Sequence, residues 1–427
     1  MHEVVQLSFG PQADALHCEF YNQQQKYFVY NKSELDSSHV DPQVRFVYGR
    51  EYTPRAVFWD FRNVFGKQKQ YRHELEEEDL AGQVDKISLP SQESEQWADH
   101  AEFPIHQSSM HRIPDWDWLP NHPFGIQRGA PEGQHEEFEH EEMGTEQFSA
   151  ACHQQGGNAE DYLDTTLRPQ LERCDLLEGV NLVTDLGGWG GFASRYLATM
   201  RDEFVTKQPI FTWALSRPLS KIYPRHVPLK LQLSRVETMA QLSEFSSLVL
   251  PLENVVDGDF RANARAHLPA FESLCLLSSM RRNRIGMERI VQDLTVELPQ
   301  ANILQVDNDI IAEFSEVKRI STRNTVVVNR PDPQHPEDRQ SSDEKHSSKP
   351  ALLDVHRDGN RDNQETVYDC PQVATSKKVQ TRYEVNDRPL ALRTLVRRHA
   401  SHDLRELVGD LTDNYVWRWE SDSDSDF

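Results

Sequence analysis

Gly187-Gly188-Trp189-Gly190-Gly191 is the stretch of this chain whose residue types could do chemistry on a phosphate. Glycines let a ligand approach the backbone closely, and a helix beginning there would add the positive end of its dipole. The flanks agree. Val180 to Leu186 is an apolar run of strand length, and Phe192, Tyr196, Met200 and Phe204 recur every four residues, the period of an amphipathic helix. The same spacing also fits a tight strand-to-helix turn that holds no ligand. No Gly-Lys-Ser/Thr follows, so the stretch is not a Walker loop.

Other residues with chemical potential are weaker. Asp60 ends the apolar run Ala56 to Trp59, where a carboxylate either serves a metal or caps a turn. Gln134 to Met143 (QHEEFEHEEM) falls short of the HExxH zinc signature because Glu139 stands where the second histidine belongs; it reads as a solvated charge run. Arg281-Arg282-Asn283-Arg284 and Arg397-Arg398-His399 are local basic patches, or simply solvated helix ends. Cys18, Cys152, Cys174, Cys275 and Cys370 are scattered with no CxxC, the usage of free thiols in a reducing compartment.

Composition sets the outer limits. The 427 residues allow two to three domains, or one large domain with long insertions. A hydrophobic share of 37% is below the roughly 45–50% of globular chains, so much of this one should lie outside a core. A net charge of −23 argues against a direct nucleic-acid or anionic-membrane binder, because each needs a basic face. No apolar run approaches the length of a transmembrane helix, and MHEVVQLSFG is neither signal nor transit peptide. The expectation is a soluble chain made in the cytosol that meets any organelle from outside.

The elements that must position these residues follow from periodicity. Glu3 to Phe9 reads as a buried strand, Gly10-Pro11 as its turn, and Ala13 to Tyr21 as a helix. Pro209 to Leu215 and Ser247 to Pro251 are further strands. Leu229 to Phe245, Leu268 to Met280 and Met287 to Leu298 carry helical apolar spacing. Strands alternating with helices point to an α/β fold whose mainly parallel sheet is covered on both faces.

Four segments, in order, carry a resemblance. MHEVVQLSFGPQADALHCEFYN is similar to the opening of tubulins and of their divergent relatives, the Misato family, through Glu3, Val4, Val5, Gly10, Leu16 and Phe20. It departs at Ala13 and His17, where tubulins have glycines, and at Asp14, where they have asparagine. Tyr52 to Asp60 resembles the tubulin segment Y-x-P-R-A-I-x-x-D-L-E-P, with Arg62 in place of the second acid. Trp97, Asp99, Phe103 and His106 match a Misato segment, with Gln107 in place of its proline. LERCDLLEGVNLVTDLGGWGG resembles the tubulin glycine loop, and through Cys174, Asp175, Leu177, Gly179 and Asp185 the Misato version more closely. Trp189 replaces the third glycine of that loop and Gly190 its threonine.

The resemblance implies a tubulin/FtsZ-like fold with long disordered insertions. Residues 1–66 and 161–255 would form the nucleotide-binding-type domain, 67–160 a polar, partly disordered insertion and 256–329 a helical remainder. A disordered linker over 330–388, a helical segment over 389–419 and an acidic tail over 420–427 would follow. For fungal Misato-like members it also implies partitioning of mitochondria and inheritance of mitochondrial DNA, through cytoskeletal or mitochondrial-surface protein partners, at the outer face of the organelle and in the cytoplasm. A tryptophan in a phosphate loop, the lost threonine hydroxyl and a carboxylate at Asp14 all oppose a bound phosphate. No G-x-x-N-x-D segment follows; Val256-Asp257-Gly258-Asp259 is nearest and lacks the asparagine. The reading is therefore a non-catalytic protein without cofactor or metal. The alternative is a self-assembling GTPase holding GTP through Gly10, Gln12, Asp60, Gly187, Gly188, Gly190 and Gly191. The tail ESDSDSDF is either a solubilising end or a docking tail phosphorylatable at Ser421, Ser423 and Ser425.

Overall fold

The computed structural model describes residues 2–28, 40–48, 52–61, 101–113 except 104 and 106–108, 140–222 except 156, 225, 227–295 except 282 and 283, 302–310, 325–330, 365–369, 379–385 and 402–413. In chain order the elements are β1 (Glu3–Phe9), α1 (Pro11–Gln24), β2 (Phe46–Tyr48), β3 (Tyr52–Pro54), β4 (Ala56–Phe61), β5 (Met110–Ile113), α2 (Glu141–Gln155), α3 (Ala159–Thr166) and β6 (Leu177–Asp185). Then come α4 (Gly188–Glu203), β7 (Ile210–Ser216), α5 (Leu229–Phe245), β8 (Leu248–Glu253), α6 (Phe260–Ser279) and α7 (Met287–Thr295). The last are β9 (Leu304–Ile310), β10 (Thr325–Arg330), β11 (Glu365–Asp369), β12 (Val379–Val385) and α8 (His402–Asp413).

Six strands pair in the order β5-β4-β1-β6-β7-β8, and every pairing is parallel. A parallel strand flanked on both faces by helices has no solvent side, and all seven residues of β1 are buried. Neighbours on β4 show the two layers. Phe58 meets His17 of α1 edge to face, while Trp59 stacks on Phe9 at 4.4 Å and lies 4.8 Å from Tyr196 of α4. The chain runs outward from β1 through β4 to β5, returns to place β6 beside β1, and then runs outward the other way. The reversal between β1 and β6 leaves a crevice at their carboxyl ends, the place where open parallel sheets take ligands.

The second sheet is mixed, in the order β11-β10-β12-β9, with β12 antiparallel to both its neighbours. Helix α6 joins the two sheets. One side packs on α1, and another meets β9, β10 and β12, where Tyr383 Oη donates to the Ala270 carbonyl at 2.6 Å. At its carboxyl end the buried Arg45 donates to the Cys275 carbonyl at 2.9 Å and to the hydroxyls of Ser278 and Ser279 at 2.8 and 3.1 Å. A guanidinium there satisfies orphan carbonyls and complements the negative end of the dipole.

Two expectations shift, and a third gains detail. Residues 330–388 are not linker throughout, because β11 and β12 lie within them as sheet strands. The alternation in Val379 to Val385 was outweighed by the polar composition around it. The 256–329 stretch is helical only as far as Thr295, after which β9 and β10 enter the second sheet. The polar insertion 67–160 contains an ordered helix, α2, which packs along α4. Of the C-terminal segment, α8 is described; Trp97, Cys370, Arg397 to His399 and the tail lie outside the described residues.

Candidate functional site

The turns that close β1 and β6 meet at the switch point. Gly10 follows β1 with φ +90 and ψ 166, a conformation open to glycine and strained for any other residue. Pro11 then starts α1, its missing N–H costing nothing in a first helical turn. Across the crevice Gly187 caps α4, and Gly188-Trp189-Gly190-Gly191 is the first turn of that helix rather than a loop before it. The structure thus brings Gly10 against the turn that carries Gly187, Gly188, Gly190 and Gly191.

The indole of Trp189 lies between them. A Cβ built on Gly10 would sit 2.5–2.7 Å from Trp189 Cδ1, Cγ and Nε1, so the ring rests on the bare Cα of Gly10. Trp189 is fully buried and continues into the aromatic layer through Phe192, 6.0 Å away. Helix α2 covers the outside of the same turn. A Cβ at Gly144 would collide with the Gly188 carbonyl oxygen, and one at Gly191 with the Glu141 carbonyl oxygen. Gly190 has equally little room, against Thr238 of α5 and the Asp185 carbonyl. These glycines serve backbone-to-backbone packing.

Gln12 and the first N–H of α4 are engaged within the chain. The Gly187 N–H donates to Asp185 Oδ1 at 2.5 Å, so the anion nearest this helix N-terminus is the protein's own carboxylate. Gln12 is buried; its Oε1 accepts from Asn254 Nδ2 at 2.5 Å, and Asn254 Oδ1 lies 3.0 Å from His267 Nε2. Burial pushes the His267 imidazole down to about 4, which keeps it neutral beside the amide. Asn254 and His267 are members of the site that sequence reading missed. They lie far from any glycine turn, and nothing in their spacing marks them.

Asp60 is also fully buried, on the α1 face of the sheet. It faces Asp14, whose acidity is suppressed first by complete burial and then by the Asp60 charge, so that Asp14 titrates well above the usual aspartate range. A group whose folded pKa is raised stabilises the fold fully at low pH and loses that contribution as pH rises from the ordinary aspartate range through the folded value. Asp14→Asn removes this titration while keeping the shape. In urea unfolding from pH 4.5 to 8.5, the variant is expected to gain stability relative to the parent as pH rises. A difference that stays constant with pH would refute the assignment.

Tested against a nucleotide phosphate, the residues present do not fit. The indole takes the space above Gly10, the first α4 donor goes to Asp185, Gln12 is held by Asn254, and the nearby Asp14–Asp60 carboxyl pair is of the wrong sign to receive a phosphate directly. Among the described residues no group of three or more His, Cys, Asp or Glu side chains is arranged for a metal, and no helix is long and apolar enough to cross a membrane. The cysteines on the core are unreactive in character: burial pushes Cys18 up to about 12 and Cys275 up to about 11.

Comparison with known proteins agrees with this architecture. Residues 2–112 match the Misato Segment II tubulin-like domain, and residues 86–280 match the tubulin domain. Protein DML1 of Yarrowia lipolytica is 25% identical over 335 residues, covering 67% of this chain and 67% of the relative. Protein dml1 of Aspergillus oryzae is 31% identical over 275 residues, and that of Aspergillus niger 29% over 276. Each of these two matches covers 59% of this chain and 54% of the relative; the chain thus spans about half the length of the Aspergillus proteins.

Proposed function

Because the chain belongs to the Misato family of tubulin-like proteins, we propose that it is a non-catalytic factor in partitioning mitochondria and inheriting mitochondrial DNA. It works through protein contacts at the outer face of the mitochondrion or on the cytoskeleton, and it binds neither nucleic acid nor a cofactor. The mitochondrial role rests on the resemblance of the four ordered segments to fungal Misato-like proteins. The non-catalytic role rests on one observation above the others, the Trp189 ring seated on Gly10. A tubulin-type GTPase keeps that space for phosphate, and here it is filled by about ten heavy atoms of side chain whose removal would leave a cavity.

Equilibrium titration with a fluorescent GTP analogue, with and without magnesium, tests the second part. The expected result is no saturable binding at micromolar concentrations in either condition. Micromolar, magnesium-dependent binding would favour the alternative, an assembling GTPase that holds GTP at Gly10, Gln12, Asp60, Gly187, Gly188, Gly190 and Gly191, with Trp189 displaced.

A further inference from the structure

The sheet end that carries the filled crevice also carries a long stretch of this acidic chain that has basic residues and no acidic ones. From Arg217 to Arg235 there are five Lys and Arg residues and no Asp or Glu, although the whole chain carries −23. This stretch leaves the carboxyl end of β7 and runs into the first turns of α5. Lys221, Arg225 and Lys230 are exposed.

It is tied to the loop after β8. Lys221 Nζ donates to the Val255 carbonyl at 2.9 Å, and Arg217 makes a two-point pair with Asp257 at 2.9 and 3.1 Å. The Asn263 side chain accepts from the N–H groups of both Val255 and Val256 and donates to the Val256 carbonyl at 2.6 Å. The loop is therefore held from both sides, yet it presents two adjacent valines that are 52% and 45% exposed. A fixed apolar pair beside a row of cations suits a partner that is acidic and carries large apolar side chains.

The chain holds such a segment. Tyr415-Val416-Trp417-Arg418-Trp419 precedes Glu420-Ser-Asp-Ser-Asp-Ser-Asp-Phe427, with four acids in the last eight residues. It lies outside the described residues, but its point of departure is fixed: α8, which ends at Asp413, packs against α5. Helix α5 has 17 residues and is about 25 Å long. Extended chain covers about 3.3 Å per residue, so the acidic run starts about 23 Å and ends about 43 Å of contour beyond Asp413. The acidic run thus reaches along all of α5, and the aromatic run, about 7–20 Å of contour beyond Asp413, along most of it.

We infer that Tyr415–Phe427 docks on its own chain, its aromatic part against Val255 and Val256 and its acids against Lys221, Arg225 and Lys230. The interaction is independent of whether a nucleotide binds. Phosphorylation at Ser421 or Ser423 would add charge of the favourable sign to it.

Zero-length carbodiimide coupling of the full chain tests the contact, since it joins a carboxylate to an amine only when the two touch. Mixing plain and isotope-labelled protein separates links within one chain from links between copies. The expected products are single-isotope links from Glu420, Asp422, Asp424 or Asp426 to Lys221 or Lys230. Arg225→Glu leaves both lysines in place and should lower their yield about threefold, the weight of one exposed charge contact; half-molar salt should do at least as much. Absence of these links, links mainly to Lys26 or Lys207, mixed-isotope links alone, or a yield untouched by Arg225→Glu would each overturn the inference.

Discussion

Replacing Trp189 by alanine is expected to lower the unfolding free energy by about 3–5 kcal/mol. The ring is fully buried, rests on Gly10 and borders Phe192. Deleting it removes the transfer free energy of the indole and leaves a cavity where two turns and a helix start meet. Those walls cannot easily close, because β1 and β6 hold Gly10 and Gly187 apart through seven registered pairs. A cavity of this shape and polarity should accept free indole, so millimolar indole should raise the urea midpoint of the variant and leave the parent unchanged. A loss below about 1 kcal/mol would mean that the ring is not the keystone of the crevice.

Gly144→Val should cost about 3 kcal/mol, at the upper end of the usual range for overpacking. A Cβ at this position meets the Gly188 carbonyl, which is backbone and cannot rotate away. Either α2 must lift from α4 or the first turn of α4 must distort, and the latter shifts Trp189. The effect should be set against Gly409→Ala in α8, where an added Cβ meets nothing within 4 Å and better helix propensity should gain up to about 1 kcal/mol. Denaturant unfolding of the two variants measures both. Equal, small effects would mean that α2 is not closely docked on the turn.

The elements around the crevice were legible because each has a single clear period. Glu3 to Phe9 and Val180 to Leu186 are continuous apolar runs, as fully enclosed parallel strands require, and Phe192, Tyr196 and Met200 mark one helix face. The meeting of Gly10 with the Gly187 turn was legible only through resemblance, since nothing local says which two strands will be neighbours. What fills the space between them was half visible: Trp189 could be seen as a steric objection, but not as a buried ring. The closure by α2 was hidden. Its sequence, EEMGTEQFSAACHQQ, is polar because just one side is covered, and the polar run before it masks its start. The second sheet was missed for a related reason. Its strands are short and separated by long polar stretches, so composition averaged over that region drowns a period-two signal of five to seven residues.

Helix α6 has a consequence in time as well as in space. It is finished when Ser279 is made, but the strand that joins β9 to β10 and covers its second side begins at Val379. A ribosome needs roughly 5–20 s to add the hundred residues between them at about 5–20 residues per second. During that interval the nascent chain can bring only β9 and β10 to that flank of the helix, and it lacks the strand whose Tyr383 and Thr381 bond to Ala270 and Ser273. Synthesis of this protein therefore contains a built-in waiting period in which the six-stranded sheet is complete and the second sheet still lacks the strand that links its halves.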